Sequence, residues 1–298
     1  MSTKIEWCDE TINPIQDRIK GESGRGYHCT KRSPGCLNCY AETINNRFGN
    51  HLPFDGRKAE FELIESELHK LAKWKKPRSV FVQSMGDLFH EAVPDEFIFS
   101  TFDLICACRG RHTFLILTKR PERAVEWYKK ACSVCSGWFH PFSGQLDLWE
   151  TWTGLTVCNQ QEADEKIPVF LKVPGKRFLS IEPMLGEIDI RVWAHQCITQ
   201  GCGDQLSAVI LGGETGPKAR PMNPDWVRSV RDQCEAAGTD FFFKGWGEYF
   251  PRELWEDNPE LVLPDDQFAS EYEKVGKKKS GRILDGRTHD DLAWSNPK

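Results

Sequence analysis

The chain has 298 residues, 39% of them apolar, and a formal net charge of −5 at pH 7. That length suits one large α/β domain or two smaller ones. The negative balance excludes indiscriminate polyanion binding by the whole surface, though not a local basic groove. No apolar run reaches the length of a bilayer span and Met1-Ser2-Thr3-Lys4 opens no signal peptide, so a cytoplasmic protein with no membrane partner is expected.

Taken in order, Thr11 to Gln16 predicts a short first strand, and Asp17 to Tyr27 a polar, glycine-rich loop. Three cysteines follow, Cys29, Cys36 and Cys39, at spacing C-x6-C-x2-C around Ser33-Pro34-Gly35. The Pro-Gly turn lets Cys29 approach the other two, and a C-x2-C pair is a common pincer for thiophilic metal centres. Three thiolates with no evident fourth ligand leave one position open. That is the catalytic arrangement for zinc, and in a four-iron cluster it leaves one iron free. A closed zinc site completed by His28 or Cys8 is the alternative. The helix expected from Tyr40 directs its N-terminus at these cysteines, which favours an anionic centre.

From Glu65 the pattern becomes regular. Helices are expected over Glu65–Trp74, Asp95–Cys108, Gln161–Leu171 and Pro224–Ala237, with another starting at Pro121. Strands are expected over Ser79–Ser84, Thr113–Leu117, Trp152–Val157, Arg177–Ile181, Ala208–Leu211 and Asp240–Phe243. This alternation predicts a parallel sheet covered by helices, and runs such as Val80-Phe81-Val82 fit strands buried on both faces. No strand-order switch point is evident, so a full or partial (β/α) barrel is the expected fold, occupying residues 1–250. After Pro251 the alternation stops, and 251–298 reads as a small extension, with Arg282 to Trp294 as a hairpin packing onto the barrel.

Ligands of parallel α/β folds bind at the carboxyl edge of the sheet. The candidate pocket residues are therefore the strand-end groups Ser84, Asp87, Lys119, Arg120, Thr156, Glu182, Gly212, Gly213, Glu214, Lys244 and Trp246, together with Tyr40 beside the cysteines. Asp87 is placed to accept from a ligand ammonium, or to cap its own turn. Lys119 and Arg120 suit a carboxylate or phosphate. Gly212-Gly213-Glu214 allows close backbone approach to a ligand or serves only as a tight turn, and Trp246 offers a stacking face. Lys73, Lys75, Lys76, Arg78, Lys119 and Arg120 are candidates for a phosphate-facing strip toward DNA, RNA or a nucleotide.

Twelve cysteines are many for a reducing compartment, where they read as metal ligands and buried thiols. Cys132, Cys135, Cys197 and Cys202, with His140 nearby, form a candidate structural zinc set in insertions at the opposite edge of the barrel. Cys8, Cys106, Cys108, Cys158 and Cys234 read as core thiols.

The cysteine loop resembles that of the radical S-adenosylmethionine enzymes, whose usual spacing is C-x3-C-x2-C. Here the first gap is longer, and Asn38 stands where an aromatic residue usually precedes the last cysteine, with Tyr40 just after it. The chain is also similar to an uncharacterised, phage-associated family with a three-cysteine motif. That likeness runs through Ile5-Glu6-Trp7, Ser33 to Glu42, Ser84 to His90, Leu117 to Arg123, Ser180 to Pro183, Gly212-Gly213-Glu214 and Phe243 to Glu248. The resemblance implies a radical-enzyme barrel in a bacterial or phage-infected cell. It further implies a [4Fe-4S] cluster on Cys29, Cys36 and Cys39 and S-adenosylmethionine as cofactor. A reductase or flavodoxin-type protein would be the electron donor, and the reaction would modify or repair a nucleic acid or nucleotide. The competing class is a zinc-containing nucleic-acid-binding module without redox chemistry. A zinc hydrolase ranks last, since no His-Glu-x-x-His signature is present.

Overall fold

The apolar runs of the sequence become strands whose alternate residues serve two different cores. The computed structural model describes residues 3, 5–18, 25–108, 110–137, 151–194, 206–256, 270–292 and 294. It begins with β1 (Glu10–Ile12), β2 (Ile15–Arg18), β3 (Arg25–Gly26), α1 (Tyr40–Phe48), β4 (Phe61–Leu63) and α2 (Glu65–Lys73). Regular alternation follows through β5 (Ser79–Val82), α3 (Asp95–Ala107), β6 (Thr113–Thr118), α4 (Pro121–Gly137), β7 (Trp152–Thr156) and α5 (Gln160–Phe170). It continues through β8 (Lys176–Ile181), α6 (Arg191–Ala194), β9 (Ala208–Gly212), α7 (Pro224–Ala237) and β10 (Asp240–Gly245). Then come β11 (Tyr249–Pro251), β12 (Tyr272–Lys274) and the single turn α8 (Lys277–Ser280).

Seven strands form one sheet in the order β1-β5-β6-β7-β8-β9-β10, and every neighbouring pair is parallel. Strand order follows chain order without reversal, so crossovers of one hand keep the helices on one face. The sheet curls as a half-barrel, with β1 and β10 as its edges, so the fold is a partial (β/α) barrel.

Side-chain alternation explains why these strands are apolar throughout. Val80, Val82, Phe114, Ile116, Val209, Leu211, Phe241 and Phe243 point to the helical layer. Phe81, Leu115, Phe178, Ala208, Ile210 and Phe242 point into the concave face. Segments from the two ends of the chain fill that concavity. Trp7 packs on Phe81 at 4.7 Å, Trp294 on Trp152 at 4.6 Å, and the Trp294 indole donates to the Trp7 carbonyl at 2.9 Å. A Cβ at Gly154 would lie 2.3 Å from the Phe178 ring, so a glycine in β7 makes room for that aromatic. From Arg282 the chain carries the expected reversal, a bridge between Leu284 and Arg287, then runs beside β10 through a Phe242–Asp290 bridge, and Leu292 and Trp294 pack in the concave core.

One expected element divides. Thr11 to Gln16 is not a single strand: Asn13-Pro14 separates β1, in the main sheet, from β2, which joins β3 and β4 in a three-stranded antiparallel sheet. Pro14 has no N–H to continue a ladder. The break is useful, because Asn13 Oδ1 accepts from the Met85 N–H at 2.8 Å and from Ser84 Oγ at 3.3 Å. The turn after β5 is thereby fixed. Gln83, in the left-handed region at φ 63°, is held there by its own side chain, which pairs with both the N–H (3.1 Å) and the carbonyl (2.8 Å) of Ile15.

Candidate active site

The cysteine loop lies across the carboxyl edge of the sheet and is clamped there from four strand ends. A 3₁₀ turn, Pro34–Cys36, opens with Ser33, whose hydroxyl accepts from the Gly35 N–H at 3.1 Å. The same hydroxyl donates to Glu162 Oε2 of α5 at 3.0 Å, and that carboxylate oxygen also accepts from the Cys158 N–H at 2.9 Å. From beyond β9, Arg220 Nη2 donates to the Pro34 carbonyl at 3.1 Å, and the Lys218 carbonyl accepts from Asn38 Nδ2 at 2.9 Å. From the segment after β5, Glu91 pairs with Arg32.

The fourth clamp is Arg120, at the end of β6. It is buried and gives its N–H groups to Asp87 Oδ2 at 2.9 Å, Glu91 Oε2 at 2.8 Å, Thr30 Oγ1 at 2.8 Å and the Thr30 carbonyl at 3.0 Å. A further contact reaches Cys29 Sγ at 3.7 Å. Asp87 also accepts from Thr118 Oγ1, from the Phe89 N–H and from the Lys119 N–H. A carboxylate offers about four lone-pair sites, so this one has none left for a ligand ammonium. Asp87 fixes Arg120 and the 118–120 turn instead.

Cys29, Cys36 and Cys39 line one cavity of about 110 Å³, together with Tyr40, Ser84, Asp87, Lys119, Arg120 and Thr156. Burial pushes the Cys29 thiol up to about 12, against the pull of Arg120. Burial also raises Cys39, while the N–H groups of Glu42 and Ala41 at the start of α1 favour its thiolate. Tyr40 directs its hydroxyl inward to the Ser84 carbonyl although half of the residue is exposed, and burial of that end raises its pKa. Burial opposes the charge of Lys119, but the sulfurs of Cys36, Cys158, Cys39 and Cys29 hold its pKa above the ordinary lysine value. Thr156 is 1% exposed and its hydroxyl has no hydrogen-bond partner among the described residues.

Six of the expected strand-end residues stand elsewhere. Lys244 pairs with Glu182, two strands apart in the sheet. Glu214 is taken up by Arg220, which donates to it through Nε at 2.8 Å, through Nη2 and through its N–H. A Cβ on Gly213 would lie 2.0 Å from the Trp246 carbonyl oxygen, and one on Gly212 would lie 3.2 Å from both Glu182 Oε1 and Lys244 Cβ. Trp246 offers no stacking face, being 1% exposed, packed against Phe243 at 4.9 Å and donating to the Ile283 carbonyl at 2.9 Å.

The basic strip is divided as well. Lys73, Lys75, Lys76 and Arg78 precede β5, at the amino edge of the sheet, whereas Lys119 and Arg120 follow β6 at the carboxyl edge. Cys132 is exposed on α4, while the Cys135 side chain, His140, Cys197 and Cys202 lie outside the described residues.

Two residues at the loop carried no functional signal in the sequence. Cys158, read as a core thiol, is buried, but its sulfur lies 3.5 Å from Ser33 Oγ and against Gly35. Glu162 falls within the expected helix Gln161–Leu171 and is not singled out there. Its buried carboxylate holds both Ser33 and Cys158.

Among the described residues no three His, Cys, Asp or Glu side chains converge as ligands of a single ion. His28 sits among Phe54, Phe61 and His90, and Cys8 belongs to the concave core, so neither completes a closed zinc site. Three thiols distributed around a shared cavity, with Lys119 and Arg120 beside them, fit an anionic cluster whose cysteines each take a different iron. No helix of the described residues is long and apolar enough to cross a membrane.

Fold and site together define an open parallel half-barrel that carries a three-thiol cavity at its carboxyl edge. The chain belongs to the family described as "Protein of unknown function (DUF5131)", which it matches over residues 2–293. No curated protein and no solved structure matches it.

Proposed function

We propose that this chain is a radical S-adenosylmethionine enzyme in which Cys29, Cys36 and Cys39 hold a [4Fe-4S] cluster. The observation that carries the reading is the meeting of those three thiols on one cavity with a lysine that has no ion-pair partner among the described residues and with an unpartnered buried hydroxyl. Bound there, such a cluster supplies the one-electron cleavage of the S-adenosylmethionine sulfonium bond that releases a 5′-deoxyadenosyl radical.

The protein's own part is to bind, orient and shield. Lys119 is placed to meet the cofactor's carboxylate, and Thr156 has a hydrogen bond to give. Arg120 holds Cys29 and Thr30 at the strand ends, and the α1 N-terminus favours thiolate at Cys39. Aromatic packing in the concave face excludes water below the cavity.

The proposed substrate class is a nucleotide or nucleic acid, modified or repaired by hydrogen abstraction. With the basic strip divided, its support at the cavity is Lys119. Binding that weakens steeply with salt supports it, and a flat response counts against it.

The test is anaerobic purification followed by measurement of iron, sulfide and zinc, then addition of dithionite and S-adenosylmethionine. About four irons per chain and 5′-deoxyadenosine are expected. Stoichiometric zinc, no iron and no cleavage would overturn the reading in favour of a binding module.

A further inference from the structure

The longest run of like charge in the chain, Lys277-Lys278-Lys279, makes up the single turn α8. In a chain of net charge −5 such a run stands out, and a run that only solvates a loop needs no fixed backbone. This one is fixed. The Glu248 carbonyl accepts from the N–H groups of Val275 and Gly276 at 3.1 and 3.0 Å, and Gly276, at φ 84°, turns the chain sharply into α8. Behind the turn Ser280 is buried and its hydroxyl donates to the Gly247 carbonyl at 2.6 Å, while the Trp246 N–H donates to the Gly281 carbonyl at 3.3 Å. These anchors follow β10. Helix α8 therefore stands at the carboxyl edge of the sheet, the edge that carries the three-thiol cavity.

A line of contacts leads from α8 to the cysteine loop. Lys274, at the end of β12, lies over the Tyr249 ring at 5.7 Å, and its Nζ donates to the Pro217 carbonyl at 2.6 Å. The next residue, Lys218, gives its carbonyl to Asn38 Nδ2, between Cys36 and Cys39, at 2.9 Å. Lys218, Lys274, Lys278 and Lys279 are exposed, and none has an ion-pair partner among the described residues. Two acids stand along the line. Glu6 is paired with Lys277 at 2.7 Å, and Glu248 Oε1 accepts from the Gly216 N–H at 3.0 Å. Five lysines against two carboxylates leave the line positive.

Ammonium groups spaced along a line, without an apolar centre, suit a flexible polyanion better than a folded protein. None of the exposed large apolar side chains belongs to these segments. The half-buried Tyr249 ring beside Lys274 adds a flat face of the kind that accompanies phosphate contacts on single strands. We propose that Lys278, Lys279, Lys274 and Lys218 bind the phosphate backbone of a single-stranded nucleic acid and lead it to the mouth of the three-thiol cavity. This deepens the substrate half of the reading above and does not depend on the cluster. Lysine meets phosphate as a point charge and reads no base, so the line positions the strand without selecting its sequence. Lys75 and Lys76, at the opposite edge of the sheet, take no part.

The test uses the full-length, metal-free chain and fluorescein-labelled oligothymidylate and oligouridylate of about 20 nucleotides, with anisotropy read across a salt series. Lys278→Gln/Lys279→Gln is compared with wild type and with Lys75→Gln/Lys76→Gln. Each phosphate contact on a single strand contributes about 0.7 to the salt slope, so the first double variant should lower that slope by about 1.4 and weaken binding several-fold at low salt. The second should match wild type. The more tightly held of the two strands then names the polymer as DNA or RNA. Unchanged affinity and slope in Lys278→Gln/Lys279→Gln, or equal losses in both double variants, would overturn the line while leaving the nucleic-acid class standing. A wild type that binds neither strand would overturn both. Displacement of the strand by polyglutamate of equal charge would also overturn the proposal, in favour of an acidic protein. Dithionite-driven 5′-deoxyadenosine formation by the reconstituted protein, without oligonucleotide, should be the same in Lys278→Gln/Lys279→Gln and wild type. Its absence from wild type would sink the radical-enzyme reading alone, because the binding measurements need no cluster.

Discussion

Arg120 Nη1 lies 3.7 Å from Cys29 Sγ, and through this contact a buried strand-end cation meets the first cysteine of the loop. The same guanidinium is held by the Asp87 carboxylate at 2.9 Å, so three separate segments share one hydrogen-bonded unit. A planar fork makes these contacts and an ammonium cannot. Arg120→Lys is expected to lower iron retention and stability together. Asp87→Ala, which leaves the buried guanidinium with only the more exposed Glu91 as counter-charge, is expected to cost up to about 3 kcal/mol in denaturant unfolding.

Gly35 packs so closely on Cys158 that an added Cβ would sit 2.4 Å from its sulfur and 3.0 Å from Pro183 Cδ. Gly35→Ala is expected to displace the cysteine loop at a cost of about 1–3 kcal/mol and to reduce iron incorporation. Adding Cys158→Ala makes room for the methyl group, so the double variant should regain iron that the single variant loses. Additive losses would show that the two residues do not couple.

Thr156 carries a buried hydroxyl without a partner among the described residues. Replacing it by valine removes an unsatisfied group, and unfolding stability should stay within about 1 kcal/mol of wild type or rise. S-adenosylmethionine affinity of the reconstituted protein, measured by anaerobic equilibrium dialysis, should nevertheless fall roughly tenfold. Unchanged affinity would remove Thr156 from the site.

Acid should loosen the clamp in two stages. Burial, with Arg120 alongside, depresses His90 to about 4, so the folded chain holds it neutral while the unfolded chain protonates near 6.5. Its contribution is complete above pH 6.5 and disappears as pH falls toward 4, roughly 3 kcal/mol at most. Glu91 is lowered to about 2: burial works against its charge, but the Arg120 hydrogen bond and charge prevail, so its smaller, solvent-screened contribution is lost between about 4.5 and 2. Urea midpoints measured from pH 7 to 4 should decline, and His90→Gln should flatten that decline.

The sequence by itself determined the alternation, the parallel sheet and the position of the site. Period-two and period-3.6 apolar patterns are local properties, and strand ends follow from them. Ser84, Lys119 and Thr156 were legible for that reason, Cys29, Cys36, Cys39 and Tyr40 from the cysteine spacing, and the structure brings all of them to one cavity. Tertiary structure alone decided how each strand-end group is spent. Asp87 and Glu214 are paired with Arg120 and Arg220, Trp246 turns into the core, and Cys158 and Glu162 come to the cysteine loop from more than a hundred residues away. A carboxylate's partners depend on which turns the crossovers bring side by side. Crossover geometry is set by packing across the whole sheet, and no spacing along the chain encodes it.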